Sequence, residues 1–261
     1  MKKTLSILAA ATLFVLLPTS ASAITDGTPD TTNKYPFVGL LAFRDADNNY
    51  VHRCSGTLLS PTIVLTAGHC TDGTSIVHAY FSFQVPDDFR TNPTGAVGTP
   101  FTHPDFNPLT IFSDIGVVEL AAPGVPSSVG YPVLAEEGLL SDLKAAREIQ
   151  ADTFVNAGYG LLNGSPPPVL VNNEDRWYST SPYGGLTQNN LHLQSNQNAT
   201  GQGGTCFGDS GGPHFWKDSL VLVSVTSWGD AICRSLDMSQ RTDLGSVLDW
   251  LEDEFGVTPP A

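Results

Sequence analysis

Charged side chains are scarce in this chain of 261 residues, at 15%, and basic ones scarcer still, with 12 Lys and Arg against 26 Asp and Glu. The formal charge of −14 creates a surface field that repels polyanions, which argues against nucleic acid as a partner. Low charge does not mean disorder here, because 41% of the residues are hydrophobic and such a chain can bury a core. Long apolar runs are missing beyond residue 17, and a spanning helix needs about 20 apolar residues, so the rest of the chain is not expected to cross a membrane. Cysteine is limited to four, with no C-x-x-C or His-x-x-x-His spacing beside them, which argues against a metal site. No metal and no cofactor are expected. Internal repeats and low-complexity tracts are also missing, and the length admits one large domain or two small ones.

What is present begins with an address. Lys2 and Lys3 precede an apolar stretch over 5–17, followed by Pro18 and the small residues Ala21-Ser22-Ala23. This is the pattern of a secretory signal peptide over 1–23, cleaved after Ala23. Cleavage leaves 238 of the 261 residues, with ten basic and 26 acidic side chains, in an exported protein, either extracellular or periplasmic. In an oxidising compartment thiols pair, and four cysteines permit three connectivities. Spacing favours two local loops, Cys54 to Cys70 and Cys206 to Cys233, each closure contributing about 3 kcal/mol in the chain-entropy model.

Short β-type runs bounded by turn residues recur at 37–43, 57–59, 63–66, 76–85, 115–120, 153–157, 191–194 and 220–228, at the spacing of sandwiches and barrels. A helical period is clear only at the end, where Leu244, Val247, Leu248, Leu251 and Phe255 recur at three-to-four-residue steps, with Thr242 and Asp243 as candidate caps. The expected class is all-β with a C-terminal helix. A mixed stretch over 122–150 would link two halves of similar size. The stretch 163–204, dense in Asn, Gly, Pro and Gln, reads mostly as surface loops around one or two strands.

Three segments carry chemistry, in the order Thr66-Ala67-Gly68-His69-Cys70, then Ser113-Asp114-Ile115-Gly116, then Gly208-Asp209-Ser210-Gly211-Gly212-Pro213. A serine hydroxyl is a poor nucleophile until an imidazole takes its proton. The imidazole in turn needs a carboxylate on its other nitrogen to hold its tautomer and stabilise its charged form. Ser210, His69 and Asp114 can fill those roles. The serine segment alone also fits G-x-S-x-G, the elbow of α/β-hydrolases, but there the acid and histidine follow the serine. In this chain only His214 follows, four residues away, and no alternating strand-helix pattern accompanies it. Singly, each residue has an ordinary structural explanation; the combination, flanked by the cysteines, carries the inference. His52, His78, His103, His192 and His214 read as surface or packing residues.

With these motifs in this order, the chain resembles the chymotrypsin-like, trypsin-family serine proteases, over nearly its whole length from Ile24 to about Phe255. The resemblance implies two antiparallel six-stranded β-barrels, over 24–130 and 131–261, with the active site between them and a C-terminal helix. It implies Ser210 as nucleophile, His69 as general base and then acid, Asp114 as its orienter, and the N–H groups of Gly208 and Ser210 as the oxyanion hole. The two local disulfides fit the same pattern. Ile24-Thr25-Asp26-Gly27 is similar to the family's mature start, Ile-Val-Gly-Gly. The freed Ile24 ammonium would therefore pair with Asp209, and signal cleavage itself would activate the enzyme.

The specificity pocket implied by the resemblance comprises Gly204, Ser227, Gly229 and Ser239. Gly204 stands where a trypsin-like pocket carries Asp, which favours apolar side chains before the scissile bond; a shift of two residues would instead bring Asp237 near the pocket. The expected function is that of a secreted serine endopeptidase working through an acyl-enzyme on protein or peptide substrates. Protein protease inhibitors are expected as further partners, and the chain is expected to be a monomer. Two alternatives stay open, a catalytically inactive protease-like binding protein and an esterase on the same fold.

Overall fold

A computed structural model of the chain describes residues 22–125, 130–163 and 170–260. The leader expected over 1–23 therefore lies, apart from Ser22 and Ala23, outside the described residues. Twelve strands carry the fold, six to a barrel. The first barrel is built from β1 (Val38–Arg44), β2 (Tyr50–Leu58), β3 (Ile63–Thr66), β4 (Ile76–Tyr80), β5 (Ala96–Thr102) and β6 (Gly116–Leu120). It closes antiparallel in the order β1-β2-β3-β6-β5-β4. The second is built from β7 (Thr153–Gly158), β8 (Trp177–Leu186), β9 (Asn190–Gln194), β10 (Pro213–Trp216), β11 (Val221–Gly229) and β12 (Leu236–Arg241). Its order is β7-β10-β11-β12-β9-β8, and pairing of β7 with β8 closes it. The expected fold class is the one observed.

Closure explains why several strands are buried on both faces. All of β1 is buried: Leu41 and Phe43 face a core shared with the second barrel, while Leu40 and Ala42 pack against Tyr80, Phe89 and Tyr159. Each fully buried Leu or Phe of this kind contributes about 1.5 to 3 kcal/mol. The shared core joins Phe37 and Val38 of the first barrel to Val155, Phe215 and Leu222 of the second, so the seam between the barrels is apolar packing rather than solvent.

Four strands, β5, β8, β10 and β12, have no counterpart among the runs expected from the sequence, and two of them show why. Ala96–Thr102 contains Gly98 and Pro100 and leaves Val97 and Phe101 exposed, which hides the apolar alternation. Trp177–Leu186 runs for ten residues through the segment expected to be mostly loop, because its pairing with β7 and β9 supplies what its Ser- and Gly-rich composition does not. The linking stretch contains a helix, α2 (Leu139–Ala145), after the one-turn helix α1 (Gly68–Thr71).

The C-terminal helix α3 (Gly245–Phe255) buries Val247, Leu248 and Leu251 and ends at Gly256, whose φ of 65° is the left-handed conformation that glycine tolerates. Its N-cap is Leu244, without a side-chain cap, and not the expected Thr242 or Asp243. Those side chains have other partners. Asp243 accepts from the Leu140 N–H at 2.9 Å and from the Arg241 guanidinium, and Thr242 donates to the Leu222 carbonyl. No helix of the described residues is long and apolar enough to cross a membrane.

Candidate active site

His69 sits on α1, immediately after β3, and the disulfide between Cys70 and Cys54 ties that turn to β2. Asp114 lies just ahead of β6, the neighbour of β3, so adjacent strands deliver the imidazole and the carboxylate to one end of the first barrel. The Asp114 carboxylate is fully buried and has three donors. The backbone N–H of His69 donates to Oδ1 at 2.7 Å, His69 Nδ1 lies 2.8 Å from Oδ2, and the Ser227 hydroxyl also donates to Oδ2. An ionised carboxylate can only accept, so Nδ1 carries its proton and Nε2 is left with the lone pair. That is the tautomer a general base needs.

Ser210 comes from the second barrel, on the loop before β10, and lines with His69 a cleft cavity of about 280 Å³. Its loop is anchored to both barrels. Ser55 of β2 donates its N–H to the Ser210 carbonyl at 2.8 Å and its hydroxyl to the Gly208 carbonyl at 2.9 Å, while Gly211 N–H donates to Thr226 on β11 at 2.7 Å. Gly208 has φ 99° and Gly211 φ 75°, conformations open to glycine and strained for other residues. At Gly211 a Cβ would also lie 2.0 Å from the Thr66 hydroxyl. The Gly-rich motif is thus needed to turn the chain sharply against the first barrel.

Asp209 points away from the cleft and is buried. Its carboxylate accepts from the N–H groups of Gly160 at 2.8 Å and Cys206 at 2.9 Å. Burial pushes its pKa up to about 7, with those two bonds and the Arg53 guanidinium opposing the rise. Ile24 is fully buried. It directly follows Ala23, which pairs with Leu162, two residues beyond Gly160, and Thr25 bridges to Gly204.

The pocket residues expected from the sequence fall into two layers. Ser227 and Gly229 line the cavity, together with Thr205, Phe207, Trp228 and Leu236. Gly204 and Ser239 are not among its lining residues. Gly204 is spent on the N-terminal segment, its N–H donating to the Thr25 carbonyl at 3.1 Å, and a Cβ there would meet Ser195 Oγ at 2.1 Å. Ser239 is buried and donates to Asp237 at 2.9 Å. Strand register places Asp237 opposite Gly229, after a shift between Thr226 and Trp228. Both disulfides anticipated from spacing are present, and the second, Cys206–Cys233, contributes both its residues to the cavity wall.

Sequence reasoning missed the Ser227 bond to Asp114, the Ser55 anchor and the pairing of His214 with Asp237. None had a local signal, since each partner is more than 20 residues away. Among the described residues the one cluster with metal-ligand proximity is Cys54, His69 and Cys70. Both sulfurs are consumed in a disulfide and offer no thiolate.

An imidazole between a buried carboxylate and an open cleft, with a serine across the seam of two closed six-stranded barrels, is the architecture of the chymotrypsin-like serine peptidases. Comparison with known proteins narrows that class. The family model described as Trypsin matches residues 24–251, and the chain belongs to the trypsin family as a serine-type endopeptidase. Brachyurin of Leptuca pugilator is 29% identical over 250 residues, covering 90% of this chain and all of that protein. Serine protease 1 of Drosophila melanogaster is 29% identical over 245 residues, covering 90% of this chain and 86% of that one. Among solved structures, HL collagenase superposes with a TM-score of 0.70 at 19% identity, covering 90% of this chain and 100% of that one. Human heparin binding protein superposes at 0.62 with 18% identity, covering 91% and 100%. These two likenesses concern the fold.

Proposed function

We propose that the chain is a secreted endopeptidase that cleaves protein and peptide substrates through an acyl-enzyme on Ser210. The observation that carries this reading is the 2.8 Å contact of His69 Nδ1 with the buried Asp114, at a cavity that both His69 and Ser210 line. His69 takes the Ser210 proton as the hydroxyl attacks the scissile carbonyl. The resulting imidazolium is stabilised by Asp114 and then gives the proton to the leaving amine. Water repeats the sequence in reverse roles to free the acid.

As the carbonyl oxygen becomes an oxyanion, the N–H groups of Gly208 and Ser210 receive it, and one such donor is typically worth about 2.7 to 4 kcal/mol in the transition state. The same geometry supports an activation step. Cleavage after Ala23 makes a new ammonium on Ile24, already buried beside the Gly160 segment, and Asp209 is a buried carboxylate in need of a cation. Their pairing would hold the loop that presents Gly208 and Ser210.

The test is digestion of an unfolded protein by the chain beginning at Ile24, with Ser210→Ala as control and the products sequenced by mass spectrometry. Cuts made only by the unsubstituted chain are expected. No cuts, with Ile24 demonstrated as the free N-terminus, would favour the inactive binding protein, or, if esters are turned over, the esterase. An added residue before Ile24 should abolish activity, and full activity with the extension intact would refute the activation step.

A further inference from the structure

Asp114 belongs to the first barrel, but the second barrel holds it at two points. Ser227 of β11 donates its hydroxyl to Asp114 Oδ2, and Gln240 of β12 accepts the Asp114 backbone N–H on Oε1 at 3.3 Å. Asp114 and Gln240 are both buried, and a buried N–H needs an acceptor; among the described residues that acceptor is Gln240. The amide is oriented from its other end, where Nε2 donates to the Arg241 carbonyl at 3.2 Å, so Oε1 is the atom turned to Asp114. Strand β12 runs between β11 and β9, with Gln240 opposite Val225 on one side and Asn190 on the other. The acceptor therefore stands on a strand paired along both edges, which fixes its place.

The turn that meets Gln240 is strained. Ile111 and Ser113 have φ of 55° and 52°, the left-handed region that residues other than glycine seldom enter, β-branched ones least of all. Such conformations persist only where surrounding contacts over-determine them. Asn107 N–H donates to the Phe112 carbonyl at 3.1 Å and Ile115 N–H to the Ser113 carbonyl at 2.7 Å, and the Gln240 bond falls between these two, on Asp114 itself. We propose that Gln240 is a positioning residue for the triad: by holding the Asp114 backbone across the seam between the barrels, it keeps the strained turn from relaxing and the carboxylate on His69. This rests on the peptidase reading above.

The geometry at His69 leaves little tolerance for a shift. Both oxygens of Asp114 are matched to donors on that one residue, Oδ1 to the backbone N–H at 2.7 Å and Oδ2 to Nδ1 at 2.8 Å. A backbone displacement at Asp114 therefore disturbs both bonds together, and a misplacement of about 1 Å can cost about a hundredfold in rate. Gln240 is not among the residues that line the cavity, so it acts through Asp114 rather than on substrate. Its loss should fall on kcat and spare KM.

The experiment measures kcat and KM on a peptide substrate for the chain beginning at Ile24, per active site counted with a fluorophosphonate, and records the low-field proton NMR signal of His69 Nδ1–H. Gln240→Met, similar in shape but without an amide, should lower kcat per site about 10- to 100-fold and leave KM within about twofold. The Nδ1–H signal should move upfield as its charge-assisted bond to Asp114 lengthens. Gln240→Asn, which keeps the position polar but draws the acceptor back by one methylene, should lose kcat in the same way and serves if the Met variant does not fold. Ser113→Gly added to Gln240→Met should recover about threefold or more of the lost kcat, because glycine holds a left-handed φ without support. Per-site kcat within about twofold of the unsubstituted chain in both Gln240 variants, or a loss confined to KM or to the number of sites, would overturn the inference while leaving the peptidase reading intact. An unmoved Nδ1–H signal would overturn it as well. An unsubstituted chain that cleaves no peptide would defeat the peptidase reading, and the Nδ1–H signal would still decide whether Gln240 holds the acid.

Discussion

Asp209 should weaken the uncut chain and support the cut one. In the intact chain its carboxyl is raised from 3.8 to about 7 by burial, and two backbone N–H groups with Arg53 offset only part of that cost. The folded state therefore holds this proton more tightly than the unfolded state, and stability is lost as pH rises from about 4 to about 7. At roughly 1.4 kcal/mol per tenfold change in affinity, the loss is about 4 kcal/mol above that window. The side chain is almost wholly buried, so solvent screening does not reduce it. The assay is urea unfolding at pH 4 and pH 8 of a chain starting at Ser22, with Ser210→Ala present to prevent self-digestion, compared with and without Asp209→Asn. The Asn variant should gain up to about 4 kcal/mol at pH 8 and close to nothing at pH 4. In a chain starting at Ile24 the same substitution should cost about 3 to 5 kcal/mol, because it leaves a buried ammonium without its partner. Destabilisation of the Ser22 chain by Asn at pH 8, or the same pH response in both chains, would refute the reasoning.

Three further expectations follow from named contacts. Asp114→Asn should retain the fold but lower kcat by about 10⁴, because an amide no longer enforces the His69 tautomer; a loss below tenfold would remove Asp114 from its role. Arg176 is fully buried, with Nε 2.8 Å from Asp30 and further bonds to the Val38 and Phe81 carbonyls and the Tyr159 hydroxyl. Arg176→Met would strand the buried Asp30 carboxylate at a cost of about 3 to 5 kcal/mol in urea unfolding, and a cost under about 1 kcal/mol would contradict that account. Replacing Cys206 and Cys233 together by Ala opens a loop with a sequence separation of 27. It should cost about 3.6 kcal/mol by the chain-entropy model and reduce kcat/KM more than it reduces total active sites, since both residues line the cavity.

The sequence by itself determined the all-β class and the serine-endopeptidase family. His69, Asp114 and Ser210 each sit in a short motif whose neighbours are local, the turn after a strand, the turn before one, and a Gly-rich bend, so the family resemblance that their order carries, and that implied the two barrels, could be read without the fold. Cys54 with Cys70 and Cys206 with Cys233 are close enough in sequence for spacing to favour the pairs found. The apolar period of the last helix was legible for the same reason, although its cap was not, because Asp243 is drawn to Arg241 and Leu140.

Only the tertiary structure decided what lies behind the cleft. A shift between Thr226 and Trp228 sets Asp237 opposite Gly229, and a one-residue slip there would have turned Asp237 to the other face of its strand. Likewise His214 meets Asp237 across 23 residues, Ser227 meets Asp114 across 113, and Ser55 meets Gly208 across 153. Such contacts depend on strand register and barrel closure, which are properties of pairings between distant segments. No local pattern of side chains encodes them.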